Sequence, residues 1–226
     1  SASMIKAKVD RSESQLSQTI TKAGYAVGIG YSQAEDIGKA AVLLHRHGIS
    51  GCNAALDALW LDDGTGPCRL VHEGQCLTMK AGSARVAIEG VAALDWLVTQ
   101  SPTARLHVKD CDSIWMFIGL MLLAGATFQT AFSLCSEDRD EEIFIAPEQS
   151  LPDESSDIFQ PPVIIRCVPV EDRGRQVNTG LTFQSGRCQI TIDDWERLVE
   201  LAFKSYVPAS AESRMHGAGA GLLDND

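Results

Sequence analysis

A chain of 226 residues can bury a sizeable hydrophobic core, as one large domain or two small ones. With 19 Lys and Arg against 30 Asp and Glu it carries −11, and that averaged field repels phosphate backbones and anionic membrane surfaces, which argues against a nucleic-acid partner. Seven cysteines (52, 68, 76, 111, 135, 167 and 188) are odd in number and form no CxxC or CxxH pair, so they read as buried free thiols of a reducing compartment, not as a disulfide framework or a zinc site.

Ser1 to Ser3, ahead of Met4, read as a stretch outside the fold, and no basic start leading into an apolar run follows. The expected localisation is cytoplasmic. "SESQLSQTITKAG" and "SQAEDIGKAAVLLHRHG" predict two helices in capping-box spacing, the first from Ser12 with Gln15 three residues on, the second from Ser32 with Glu35. In the second, Ile37, Ala40, Ala41 and Leu44 recur at helical spacing; His45, Arg46 and His47 place positive charge at the carbonyl end of the dipole, and Gly48 stops the helix. A third, shorter helix is expected over "NAALDALWL".

From Gly64 to Val170, "CRLVHE", "SARVAIE", "ARLHVK", "TFQTAFSL", "EIFIA" and "PVIIRCVPV" have the β-branched, alternating character of strands, while "GVAALDWLVTQ" is helical. The run from Ile114 to Cys135 approaches the roughly 20 apolar residues that span a bilayer. Gly125, Thr127, Gln129 and Thr130 interrupt it, and its flanks are acidic. Two buried elements are expected instead: a helix from about Ser113 to Ala124, capped by Asp112 and ended by Gly125 in the left-handed conformation, then a strand.

Residues 136–162 hold nine acids against one arginine, without the DxDxDG spacing of a calcium loop, and read as a solvated loop around one short strand. "LTFQSGRCQI" predicts a hairpin turning at Ser185 and Gly186. "TIDDWERLVELAFKSYVP" predicts an amphipathic helix capped by Thr191 with Asp194 at the third position, its stripe formed by Trp195, Leu198, Val199, Ala202 and Tyr206. The expected fold class is α+β: an N-terminal helical segment over 1–63, then a body over 64–226 with a mixed sheet, packed helices and an ordered glycine-rich tail, together one unit.

No GxSxG, HExxH or GxxxxGK[ST] signature occurs. His45 and His47 point about 200° apart on a helix and cannot share a metal, so they read as helix-end cations. His72 and His107, single histidines in strand-like segments, read as satisfied structural residues. No metal site is expected, and nothing names a cofactor. "GAGAG" from Gly217 to Gly221 lacks the preceding strand and following helix of a dinucleotide loop. Its amides, with Arg214 and His216 beside them, can still converge on a carboxylate or phosphate; composition alone would equally make it a plain tail.

"GIGYSQAEDIGKAAVLLHRHGISG" and "FKSYVPASAESRMHGAGAGLLDND" resemble the two ends of an uncharacterised bacterial family, domain of unknown function 3726. The likeness lies in the glycine and "AED" placement of the first block and in "YVPAS", "SR", "GAGAG" and "DND" of the second, about a fifth of the chain. The family carries no activity or catalytic residue across, and whether the chain is an enzyme is left open. The resemblance implies an ordered, functional tail. Two roles follow: an enzyme or binding protein whose anionic small molecule meets Arg214, His216, Gly217, Gly219 and Gly221, with "GIGYSQAED" as the opposite wall and Leu222 and Leu223 as anchors, or a non-catalytic partner subunit or homo-oligomer that uses the tail for contact. Thiol counting under denaturing, non-reducing conditions should return all seven cysteines; recovery of five or fewer would overturn the compartment argument.

Overall fold

Two strand–helix units of the same build stand at opposite ends of the chain. β1 (Lys8–Ser12) runs directly into α1 (Glu13–Ala26), and β8 (Arg187–Thr191) runs directly into α6 (Ile192–Phe203). In each, the last strand residue doubles as the helix cap. Ser12 Oγ accepts the Gln15 N–H at 3.1 Å while Gln15 Oε1 accepts the Ser12 N–H at 2.9 Å, and Thr191 Oγ1 accepts the Asp194 N–H at 3.3 Å. A hydroxyl cap on extended backbone lets the chain switch from strand to helix within one residue, because it satisfies an amide the first helical turn leaves unpaired. β1 and β8 pair antiparallel, Lys8 opposite Thr191 and Ser12 opposite Arg187, which lays α6 along α1.

The computed structural model describes residues 6–60, 69–80, 85–100, 102–137, 142–153, 159–168 and 186–204. α2 (Tyr31–Arg46) and α3 (Gly51–Leu59) complete the helical layer with α1 and α6. Arg46 reaches back to α1, donating from Nε and Nη2 to the two Glu13 oxygens at 2.8 and 2.7 Å. α6 buries Leu198, Leu201 and Ala202 and leaves Trp195 half-buried under the Arg11 guanidinium, 4.8 Å from the ring centroid.

A six-stranded mixed sheet forms the second layer, in the order β2 (Arg69–Glu73), β3 (Cys76–Lys80), β4 (Arg105–Val108), β7 (Val163–Val168), β5 (Ala131–Ser136), β6 (Glu142–Ile145). Only β3 and β4 run parallel; the other neighbours are antiparallel. The alternation of the strands gives one face to the core: Met79, Leu106, Val108, Val163, Ile165, Phe132 and Ile145 are buried. The fold is α+β, with the mixed sheet and packed helices that the sequence leads one to expect.

Between the layers lies α5 (Ile114–Phe128), apolar on every side and without a charged residue. Such a helix must be covered all round, and it packs on α2, α3, α4 (Val91–Thr99), β5 and β6. Gly119 marks the closest approach: a Cβ there would stand 3.0 Å from Leu44 Cδ1 and 3.1 Å from Ala40 O. No helix among the described residues is long and apolar enough to cross a membrane.

Four local expectations are corrected. α2 begins at Tyr31 with Gly30 as a cap that makes no side-chain bond, because Gly28, at φ 86°, and the bond from Ile29 N–H to Gly24 O have already turned the chain into the helix direction; Glu35 instead meets Lys39 at 3.2 Å. α5 is capped by Ser113, not Asp112, and runs through Gly125 to end at Gln129, which takes the left-handed conformation at φ 52°. Burial lowers the pKa of His45 and of His47, so they favour the neutral form and the helix-end cation is Arg46. The described part of "SARVAIE" forms no strand: Val86–Gly90 is a π-helical turn. The strands β1 and β3 fall outside the segments that the sequence marks as strands, and β1 pairs with β8. Residues 181–185 lie outside the described residues.

Ser12→Ala should cost about 1 kcal/mol in urea denaturation, while Ser32→Ala should change stability by less than about 0.5 kcal/mol. A full cap penalty at Ser32 would contradict the α2 start.

Candidate functional site

β3 and β4 pair in parallel, with Cys76 opposite Arg105 and Met79 opposite Val108. A parallel pair needs a crossover, here the π-helical turn and α4, so the segments leaving the carboxyl ends of both strands gather at one edge of the sheet. The ends of these two strands, the π-helical turn and the start of α5 meet there.

Three charged side chains from the two segments come together at this edge. The segment after β4, Lys109 to Ser113, carries Asp112 against the π-helical turn, where Asp112 Oδ1 accepts the Val86 N–H at 3.0 Å. Ser113 locks the other side: its Oγ donates to Ala54 O of α3 at 3.0 Å and accepts the Met116 N–H of α5 at 3.2 Å. Asp112 is thus held between the start of the π-helical turn and the start of α5. Burial raises its proton affinity, against bonds from the Val86 and Ser113 backbone and the charge of Arg85, and with the charge of Glu89 adding to the rise; the carboxyl is pushed up to about 7. It therefore changes protonation near neutrality, as a proton-transfer group must.

Arg85 and Glu89 flank it, both half-buried. Arg85 Nε and Glu89 Oε2 are buried atoms without a hydrogen-bond partner. Buried polar groups are nearly always satisfied, so two open ones beside a carboxyl of raised pKa distinguish this place from a structural ion pair. The π-helical geometry belongs to the same arrangement. Single π turns inside helices concentrate at functional sites, and Gly90, where a Cβ would lie 3.2 Å from the Phe117 ring, permits this turn to lie against α5.

Neighbouring groups are less suited to chemistry. Burial pushes the Cys111 thiol up to about 12, which leaves it protonated and unreactive. The described cysteines, 52, 76, 111, 135, 167 and 188, are all unpaired; Cys68 lies outside the described residues. His107 Nδ1 sits 3.5 Å from Glu137, which Lys109 Nζ binds at 2.6 and 2.8 Å, and His72 packs edge-on against Trp96 at 5.5 Å. Both histidines have the partnered settings expected of them. Among the described residues no three His, Cys, Asp or Glu are grouped to hold a metal ion.

Arg214, His216, Gly217, Gly219 and Gly221, with Leu222 and Leu223, lie outside the described residues. The Arg85, Glu89 and Asp112 group was not singled out in the sequence. "GIGYSQAED" forms the α1–α2 turn and the start of α2.

The layers and this edge define a two-layer α+β protein. Residues 11–86 match the family model described as Protein of unknown function (DUF3726), in agreement with the resemblance of the first sequence block. The match runs from within β1 to the first residue of the π-helical turn. No curated protein matches the chain. Among solved structures it is similar to malate dehydrogenase from Entamoeba histolytica, at 12% identity and a TM-score of 0.41 over 61% of this chain and 44% of that one. It is also similar to malate dehydrogenase from Pyrococcus horikoshii OT3, at 13% identity and a TM-score of 0.42 over 57% of this chain and 40% of that one. The chain thus spans less than half the length of either.

Because the folded Asp112 holds its proton up to about pH 7, above its ordinary 3.8, its contribution to stability is fully present below pH 3.8 and is lost as pH rises through 7. Asp112→Asn should match the wild type near pH 4 and become more stable by ~1–2 kcal/mol above pH 7, after allowance for solvent screening. Denaturation curves across that range check it. A variant less stable than wild type at pH 8 would mean that the carboxylate itself is favoured by the fold.

Proposed function

We propose that this protein is a small-molecule enzyme or binding protein for an anionic metabolite, held at the sheet edge by Arg85 with Asp112 as the proton-transfer group. The observation that carries the reading is the pair of open buried atoms, Arg85 Nε and Glu89 Oε2, beside a carboxyl that titrates near 7. A guanidinium with a free Nε–H donates a charge-assisted hydrogen bond to a carboxylate or phosphate oxygen. Glu89 offers an acceptor to a ligand hydroxyl or amine. Asp112 can then take a proton from such a group or return it, fixed by the Val86 amide at 3.0 Å.

The glycine-rich end supplies a second anion-binding arm in this reading. Its support is compositional: Arg214 and His216 stand next to Gly217, Gly219 and Gly221, whose amides can point at one oxyanion. In sequence the tail comes after α6, which buries Leu198, Leu201 and Ala202 and packs on α1 and α3.

A second reading, a partner subunit or homo-oligomer, is favoured by one observation. Phe203 at the end of α6 is 64% exposed and borders a shallow apolar cleft of about 390 Å³ with Trp195 and Val199. Light scattering over a range of concentrations separates the readings: a mass that depends on concentration and responds to Phe203→Ser supports assembly.

The ligand-site reading is tested by a thermal-shift screen of carboxylates and phosphorylated metabolites, since a ligand of the native state at 100 times its Kd adds about 2.7 kcal/mol. At least one anion should raise the Tm, Arg85→Gln should abolish the shift, and Gly219→Val should reduce it if the tail takes part. A shift that survives Arg85→Gln, or a screen with no anionic hit, would overturn the assignment.

A further inference from the structure

Away from the Asp112 edge, a cleft of about 360 Å³ lies between α2, α4 and α5. That is within the size range of small-ligand sites. Its lining is apolar at depth, where Leu94 and Leu120 are 3% and 4% exposed, and Phe128, 54% exposed, stands at the mouth. Two carboxylates from different helices face it, Asp36 of α2 and Asp95 of α4. Neither has a hydrogen-bond or ion-pair partner among the described residues. Lys39, the one cation among the described residues of the lining, is engaged by Glu35 at 3.2 Å, and α5 brings no charged residue at all.

An apolar hollow with two unpaired carboxylates has a definite complement. We propose that this cleft binds a small organic cation, a protonated amine carried on an apolar body, with the ammonium between Asp36 and Asp95 and the body against Leu94 and Leu120. A neutral ligand would leave the carboxylates desolvated without a partner, and an anion would add to their repulsion. An inorganic cation would gain nothing from the apolar floor. The electrostatics agree: burial raises the proton affinity of Asp36, with Glu35 and Asp95 adding to the rise and Lys39 opposing it, and a bound cation relieves that cost.

Benzylamine and its neutral isostere benzyl alcohol are the probes. Titrations at pH 8, followed by the methyl resonances of the leucines, should show benzylamine perturbing Leu94 and Leu120 and binding at least tenfold tighter than benzyl alcohol. Asp36→Asn should weaken benzylamine at least tenfold. Asp95→Asn, at an exposed position, should weaken it several-fold and serves as the test should Asp36→Asn fail to fold. Lowering the pH should weaken binding as Asp36 takes up a proton while benzylamine stays charged. Equal affinity for the alcohol would reduce the cleft to an apolar hollow and overturn the proposal. So would no binding of benzylamine, perturbations confined to other methyl groups, or insensitivity to both aspartate substitutions.

Discussion

The burial of α5 is the constraint on which the rest of the structure depends. Its fifteen residues contain no charge, and Met116, Phe117, Ile118, Leu120, Met121 and Leu122 are each removed from water. At about 1.5–3 kcal/mol for a large side chain fully buried, this helix drives the layers together more than any single contact does. Helices α2, α3 and α4 cover one side and β5 and β6 the other. Phe159, itself buried, packs on Trp115 with ring centroids 4.7 Å apart and covers the amino end of α5.

The two ends of this helix carry the two sites. At the amino end, Ser113 must cap α5 and also satisfy Ala54 O, which leaves its neighbour Asp112 facing the π-helical turn with little freedom. The carboxyl is desolvated because the helix beside it is buried, so the same packing that stabilises the core brings Asp112 near a neutral pKa. At the carboxyl end, Phe128 leaves the core at the mouth of the cleft, where Asp36 and Asp95 stand over apolar lining. Both sites are consequences of one apolar helix meeting polar segments at its ends.

Much of the architecture was legible because it is local. The caps at Ser12 and Thr191 act over three residues, and the apolar length of α5 identifies it as a buried helix without reference to anything distant. What was not legible depends on partners far along the chain. β1, Lys-Val-Asp-Arg-Ser, has no apolar face of its own and exists through pairing with β8, so that Asp10 lies opposite Gln189. "SARVAIE" alternates like a strand, yet the Asp112 carboxyl, 26 residues away, accepts the Val86 N–H and helps set the turn there. Asp112 itself reads locally as a helix cap. Its pairing with the π-helical turn depends on β3 and β4 running parallel, which no local pattern of "ARLHVKDCDS" specifies.

The central claim is that packing at the head of α5 holds the Asp112 carboxyl near neutrality beside open donors and acceptors. The most direct measurement is a ¹³C NMR titration of the Asp112 side-chain carboxyl in the intact protein, assigned by its loss in Asp112→Asn. The account predicts a midpoint near 7, moved downward by an anionic ligand only if that ligand carries a donor to the carboxylate. A midpoint in the ordinary range of about 4 would mean that water reaches Asp112 freely, and the proposed proton-transfer site would not stand.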